Sequence, residues 1–161
     1  MRTRIMKPSL LVVFVMAATT QAGELVPFKG TFSGQTQSAV PTGDPDVVFV
    51  TTGGGGQATQ LGHYSVISPH FTNLVTLEVW GTQEFTAANG DTLTAEISGQ
   101  FVPTPDGLLA AQLTGTITGG TGRFEGATGS YTFDILFDFV TFISVATIDG
   151  TMTSPGRSQA P

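Results

Sequence analysis

The chain has 161 residues, no cysteine, and twelve acidic against six basic side chains, a formal net charge of −6. That length is one domain, and the missing cysteines exclude a disulfide framework and a lipid-anchoring lipobox. The acidic surplus repels phosphate backbones and anionic lipid surfaces, so neither nucleic acid nor electrostatic membrane binding is expected, and no stable membrane insertion is expected either.

The first 22 residues read as a secretory signal peptide. Arg2, Arg4 and Lys7 form a basic n-region, residues 10–18 are an unbroken apolar run, and Thr20-Gln21-Ala22 offers a small-x-small cleavage site before Gly23. The run is well short of the roughly 20 residues that span a bilayer. Cleavage would leave residues 23–161, a mature chain of 139 residues with three basic side chains against twelve acidic, a net charge of about −9. A secreted or periplasmic location follows, with a domain at 23–153 and a polar, proline-containing tail at 154–161.

After the signal no stretch sustains helical periodicity. Period-two alternation recurs instead and predicts eight strands, at 28–36, 46–51, 56–66, 74–86, 92–101, 108–118, 130–142 and 145–153. Turn signals separate them: Pro41-Thr42-Gly43-Asp44-Pro45, the glycines at 53–55, Ser68-Pro69, Asn89-Gly90, residues 103–107 and the glycine-rich segment 119–129. Such a succession predicts an all-β antiparallel meander closed as a barrel or folded as a sandwich.

The alternation also assigns faces. The fourth strand puts Val75, Leu77, Val79 and Phe85 on one side and Thr76, Glu78, Thr82 and Glu84 on the other; the fifth sets Leu93, Ala95, Ile97 and Phe101 against Thr92, Thr94, Glu96 and Ser98. In the seventh, Tyr131, Phe133, Ile135, Phe137 and Phe139 oppose Asp134 and Asp138. A two-residue Asn89-Gly90 turn would set Leu93 opposite Thr86 and mix the faces. A three-residue Ala88-Asn89-Gly90 loop, with Gly90 left-handed, restores parity and sets Phe85 opposite Leu93, Val79 opposite Gly99 and Leu77 opposite Phe101. In the eighth strand Ala146, Ile148 and Met152 carry the apolar side, so parity switches across a short link around Ser144.

Few residues offer chemistry. The glycine segments lack the Gly-Lys-Ser/Thr end of a phosphate loop and lead into strands, not helices; Arg123 reads as a surface cation beside a turn. His63 is expected with Gln57 and Thr59 on the polar side of the third strand, and His70 in a solvated loop after Pro69. No histidine–carboxylate cluster forms a metal site, and no cofactor is expected. Glu84, Glu96, Asp134 and Asp138 belong to a wet outer face. The apolar side of strands four to seven carries one phenol, Tyr131, and one amide, Gln83, with no ordinary acid or base. Trp80 has polar-side parity, where it anchors a partner or a sugar ring or lies beneath a loop.

The run Gly119-Gly120-Thr121-Gly122-Arg123-Phe124, followed by Gly126-Ala127 and Gly129, resembles the GGTG-x-F-x-GA-x-G signature of allene oxide cyclase and dirigent-like barrels. Gly56-Gln57-Ala58-Thr59-Gln60-Leu61-Gly62 and Ala87-Ala88-Asn89-Gly90-Asp91-Thr92-Leu93 resemble companion motifs of secreted bacterial proteins with that barrel. The resemblance implies an eight-stranded antiparallel β-barrel over about residues 28–153. Its plant members include a cyclase of an unsaturated fatty-acid epoxide and proteins that steer phenoxy-radical coupling. The shared motif is structural: Gly119, Gly120, Gly122, Gly126 and Gly129 would shape a barrel corner and Phe124 plug its end, and no catalytic residue carries over.

The expectation is a non-enzymatic secreted barrel that holds a small apolar ligand or meets an extracellular partner, with Trp80 and Tyr131 as candidate contacts and a second copy of the chain as a candidate partner. The alternative is an isomerase or cyclase that confines an apolar substrate in the barrel. A lumen filled with side chains would exclude that alternative; an open cavity lined by a polar pair would favour it.

Overall fold

Strands with one apolar face each must bury it against one another, and only closure of the sheet also removes its exposed edges. In the computed structural model, which describes residues 23–156, the chain closes. Its strands are β1 (Leu25–Pro41), β2 (Val47–Ala58), β3 (Gly62–Asn73), β4 (Glu78–Ala87), β5 (Thr92–Pro103), β6 (Leu109–Gly120), β7 (Gly129–Asp138) and β8 (Ile143–Thr153). Each pairs antiparallel with the next, and β8 returns to β1. The expected signal peptide, residues 1–22, and the end of the tail, 157–161, lie outside the described residues.

Pleating sends alternate side chains into the lumen. Even-numbered residues of β2, β3 and β8 and odd-numbered residues of β4 to β7 point inward, which yields the buried sets Tyr64 and Val66, Phe85 and Leu93, and Ile148 and Met152. The β4–β5 register is the one parity demands: Phe85 pairs Leu93, Val79 pairs Gly99, and Gly90 is left-handed at φ 88°. Leu77 and Phe101 meet through the Phe101 N–H and the Leu77 carbonyl, 2.9 Å apart.

The two ends differ. At one end the β2–β3, β4–β5 and β6–β7 turns gather over a solid core in which Phe28, Leu61, Phe85, Leu93, Phe124 and Met152 are fully buried. Phe28, Tyr64, Phe85 and Tyr131 meet there edge to face at 5.4–6.1 Å between ring centres, the geometry the ring quadrupole favours. The other end, ringed by the β1–β2, β3–β4, β5–β6 and β7–β8 loops, is open.

Three segments depart from the sequence expectation. The glycines at 53–55 are not a turn but the interior of β2, and the strand expected at 56–66 spans the end of β2, a turn at Thr59-Gln60-Leu61 and the start of β3. Gly34 pairs Gly54, and a Cβ on Gly54 would stand 2.7 Å from the Phe32 ring. The missing side chains make room for that ring, not for a bend. Ser68-Pro69, also read as a turn, lies inside β3. The β3–β4 ladder skips those two residues yet keeps its register from Ile67–Glu84 to His70–Gly81. Proline has no N–H to give, and a short gap in the ladder accommodates it.

The third departure is at the open end. The strand expected from 74 begins only at Glu78, and the one expected to reach 142 stops at Asp138. Asn73 Oδ1 accepts the N–H groups of Val75 and Thr76, both at 2.9 Å, and Asp138 Oδ1 accepts those of Val140 at 2.8 Å and Thr141 at 3.3 Å. Each loop closes four residues on, where Leu77 (φ 61°) and Phe142 (φ 59°) turn left-handed. Val75 and Phe139, expected on the core face, are therefore exposed. Ser144 is no link but an inward residue of β8. β1 is also longer than expected, and its register slips between Thr36 and Ser38.

Candidate functional site

The open half of the barrel holds a cavity of about 220 Å³. Its walls are apolar, from Val66, Val79, Ile97, Leu113 and Ile135, and Phe32 and Phe133 close its floor with ring centres 5.4 Å apart. At the mouth Phe101, Phe137, Phe139 and Phe142 form a chain of rings spaced 5.8–6.3 Å. Into this surface the strands introduce a few polar groups: the buried Thr52, Ser68, Gln83 and Ser144, and the half-buried His70, Thr36 and Thr72. An apolar pocket with a small number of convergent polar groups is the usual form of a small-molecule site.

Pro69 helps to build the polar wall. Lacking an N–H, it leaves the ladder open, and the Ser68 hydroxyl instead donates to the Thr82 carbonyl at 3.2 Å. The Ser68 carbonyl receives the His70 ring at Nδ1, 2.9 Å away. Opposite His70 stands Gly81, where a Cβ would come within 2.5 Å of His70 Cα and of the Pro69 carbonyl. The two strands approach this closely only because that position is glycine.

A carbonyl accepts only, so the His70 proton sits on Nδ1 and Nε2 carries a lone pair. Burial holds the imidazole below its ordinary pKa, and the Ser68 carbonyl pulls the other way. The ring is therefore neutral at neutral pH. It is also the one titratable side chain lining the cavity among the described residues. The expectation of a solvated loop histidine is thus corrected: Ser68-Pro69 continues the strand, and strand parity turns His70 inward. No local signal distinguishes the two situations, because Pro69 ordinarily ends a strand.

The other expected residues are placed as follows. Tyr131 lies beneath the floor, buried, and its hydroxyl donates to Gln83 Oε1 at 2.6 Å; burial raises its pKa, with Tyr64 adding to the shift. It reaches the cavity only through Gln83, which does line it. Trp80 is on the outer face, 41 % exposed and stacked on Phe71 at 5.7 Å with ring planes 20° apart. Phe71 in turn meets Phe49 at 5.1 Å, so three strands share an outer aromatic row, and among the described residues no loop covers Trp80.

Glu84, Glu96, Asp134 and Asp138 point outward, with Glu96 opposite Thr82. The N–H of Val140 and contacts with Thr141 hold Asp138 below the ordinary carboxylate value. His63 is on the outer face with Gln57, across β2 and β3 rather than along one strand, with Nε2 2.7 Å from the Gln57 amide. Among the described residues no three metal-ligating side chains gather.

The glycine-rich segment is at the closed end, far from the cavity mouth. Gly119, Gly122, Gly126 and Gly129 all have positive φ. A Cβ on Gly120 would stand 2.7 Å from that of Phe124, whose ring is wholly buried in a single 3-10 turn, Gly122–Phe124. Arg123 is held there by Asp91 at 4.0 Å and lies over the Phe124 ring.

No family model and no curated protein matches this chain. Among solved structures it is similar to the pterocarpan synthase dirigent protein GePTS1, with a TM-score of 0.55 and 15% identity over 87% of this chain and 96% of that one. It is similar also to the pterocarpan synthase dirigent protein PsPTS1, with a TM-score of 0.52 and 12% identity over 83% of this chain and 97% of that one. At such identities the likeness is one of fold: a dirigent-like eight-stranded barrel.

Proposed function

We propose that the chain is a secreted or periplasmic barrel that holds one small, mainly apolar molecule in the open half of its lumen. The observation that carries this reading is the cavity itself: a barrel of this size can be filled by its own side chains, and here one half is filled while the other is empty. Its volume of about 220 Å³ exceeds the ~150 Å³ apolar cavity that takes up benzene, so one ring system fits inside. The phenylalanines at the mouth extend the apolar surface for a longer ligand. The likeness to dirigent barrels, whose named members are pterocarpan synthase proteins, supports a lumen that receives small organic molecules.

The test is a methyl NMR titration with methylcyclohexane, together with native mass spectrometry of protein purified from its own source. Saturable shifts at Val66, Ile97 and Leu113, abolished in Ile135→Trp, are the expected result. No saturable shift and no co-purifying small molecule would defeat the reading.

A second reading, an isomerase or cyclase acting by confinement, is favoured by one observation. The cavity is open and contains a neutral imidazole beside an amide. Turnover of an apolar unsaturated epoxide, lost in Ile135→Trp and His70→Leu, would establish it; binding without turnover leaves the first reading.

A further inference from the structure

Resting on the reading of the lumen as a ligand cavity, we propose that its polar wall is a hydroxyl site. The ligand is an apolar alcohol whose oxygen donates its proton to His70 Nε2 and accepts a hydrogen bond from Gln83 Nε2.

Both nitrogens are fixed by what their own side chains already do. His70 Nδ1 is committed to the Ser68 carbonyl at 2.9 Å, which leaves Nε2 as an acceptor. Gln83 Oε1 is committed to the Tyr131 hydroxyl at 2.6 Å, which leaves the amide N–H groups as donors. Among the described residues neither Nε2 has a hydrogen-bond partner, while every fully buried side-chain nitrogen or oxygen has one. The two atoms therefore retain access to open volume, and both side chains line the cavity.

Strand pairing brings them together. His70 pairs Gly81, so Gln83, two residues along β4, is its diagonal neighbour on the inner face. Such neighbours lie ~7–8 Å apart, within reach of one shared atom between long side chains. Gly81 between them offers no side chain to block the approach.

One acceptor beside one donor selects among polar groups. A hydroxyl satisfies both at once, whereas an ether or ketone oxygen satisfies only the amide and leaves Nε2 facing a group with no proton to give. A carboxylate has the same defect and brings an unpaired charge into an apolar cavity. Among the described residues no titratable side chain other than His70, itself neutral at neutral pH, lines the cavity to offset such a charge. β2 presents Val50 and Thr52 beside His70, β4 presents Val79, Gly81 and Gln83, and the facing wall presents Leu113 and Phe133.

The test compares cyclohexanol with its methyl ether, methoxycyclohexane, by methyl NMR titration of the full-length mature protein and of His70→Leu. At neutral pH the wild type should bind the alcohol about tenfold more tightly than the ether, the worth of one well-made hydrogen bond in a dry site. In His70→Leu the ratio should fall to about one because the alcohol weakens, with the ether little changed. Equal binding of both probes by the wild type overturns the hydroxyl site while leaving the ligand cavity intact. Binding of neither probe overturns both readings. Should His70→Leu fail to fold, nitrogen-15 spectra of the wild type decide: the His70 Nε2 resonance moves with the alcohol and not with the ether, and a resonance that ignores both refutes the proposal.

Discussion

Pro69 shows how much a single missing N–H can do. It interrupts one ladder without shifting its register; across the gap the Ser68 hydroxyl donates to the Thr82 carbonyl, and the Ser68 carbonyl holds the His70 ring. His70 then makes stability depend on pH in a known direction. Its pKa is lowered in the fold, so as pH falls the unfolded chain takes up the proton first. Stability is full above the ordinary imidazole range and declines as pH drops through it toward the lowered value. Urea midpoints measured across that window should decline in the wild type and flatten in His70→Gln; parallel profiles would show that the ring is solvated. Gly81→Ala should cost about 1–3 kcal/mol, as overpacking does, because the new methyl meets the backbone of Pro69 and His70. Under the floor, Tyr131→Phe and Gln83→Leu should each lose about 1–3 kcal/mol by stranding the other partner in a buried site. Denaturant unfolding of the double variant should show a loss smaller than the sum of the two, and strict additivity would deny the hydrogen bond.

At the scale of elements, the loops divide into two kinds. At the closed end two turns are built on glycines, Gly90 from β4 to β5 and four positive-φ glycines around Phe124, while the β2–β3 turn passes through a left-handed Gln60. The two glycine turns were legible, because parity on the two flanking strands admits only an odd loop at Ala88-Asn89-Gly90 and because glycine is the residue that adopts such backbone cheaply. At the open end the β1–β2 and β5–β6 turns fall where residues 41–45 and 103–107 signalled them, but the β3–β4 and β7–β8 turns rest on Asn73 and Asp138, each taking two N–H groups into its side chain before a left-handed Leu77 or Phe142. Those last two turns were not legible, since large apolar residues stand where turn residues were expected. The same composition misled at β2, where glycines accommodate the Phe32 ring instead of bending the chain. Phe124→Ala should cost about 3–5 kcal/mol in thermal or denaturant unfolding, the usual loss for a buried aromatic. Ligand affinity should stay unchanged, because the plug and the cavity occupy opposite ends; a matching loss of binding would join the two ends into one site.

For the molecule as a whole, closure removes every edge strand but does not make the barrel uniform. The filled half packs aromatic rings edge to face, and the open half surrounds empty volume, so local opening should be easier at the mouth. Hydrogen exchange should find the amides of Phe85, Leu93 and Ile148 protected to the limit of global unfolding and those of Leu109, Phe137 and Ile143 released sooner; uniform protection would mean that the barrel opens as a single unit. The number of strands, the inward faces of β4 to β7 and the glycine corner were determined by the sequence alone, because alternation and turn chemistry act between residues near in the chain. The half-empty lumen and its polar wall were decided only by tertiary structure. How much space remains depends on side chains from all eight strands meeting at one level. The meeting of His70 with Gln83 depends on a β3 that runs straight through Pro69, which local propensity opposes and which the continuous β2–β3 ladder and the β3–β4 pairs flanking the gap enforce.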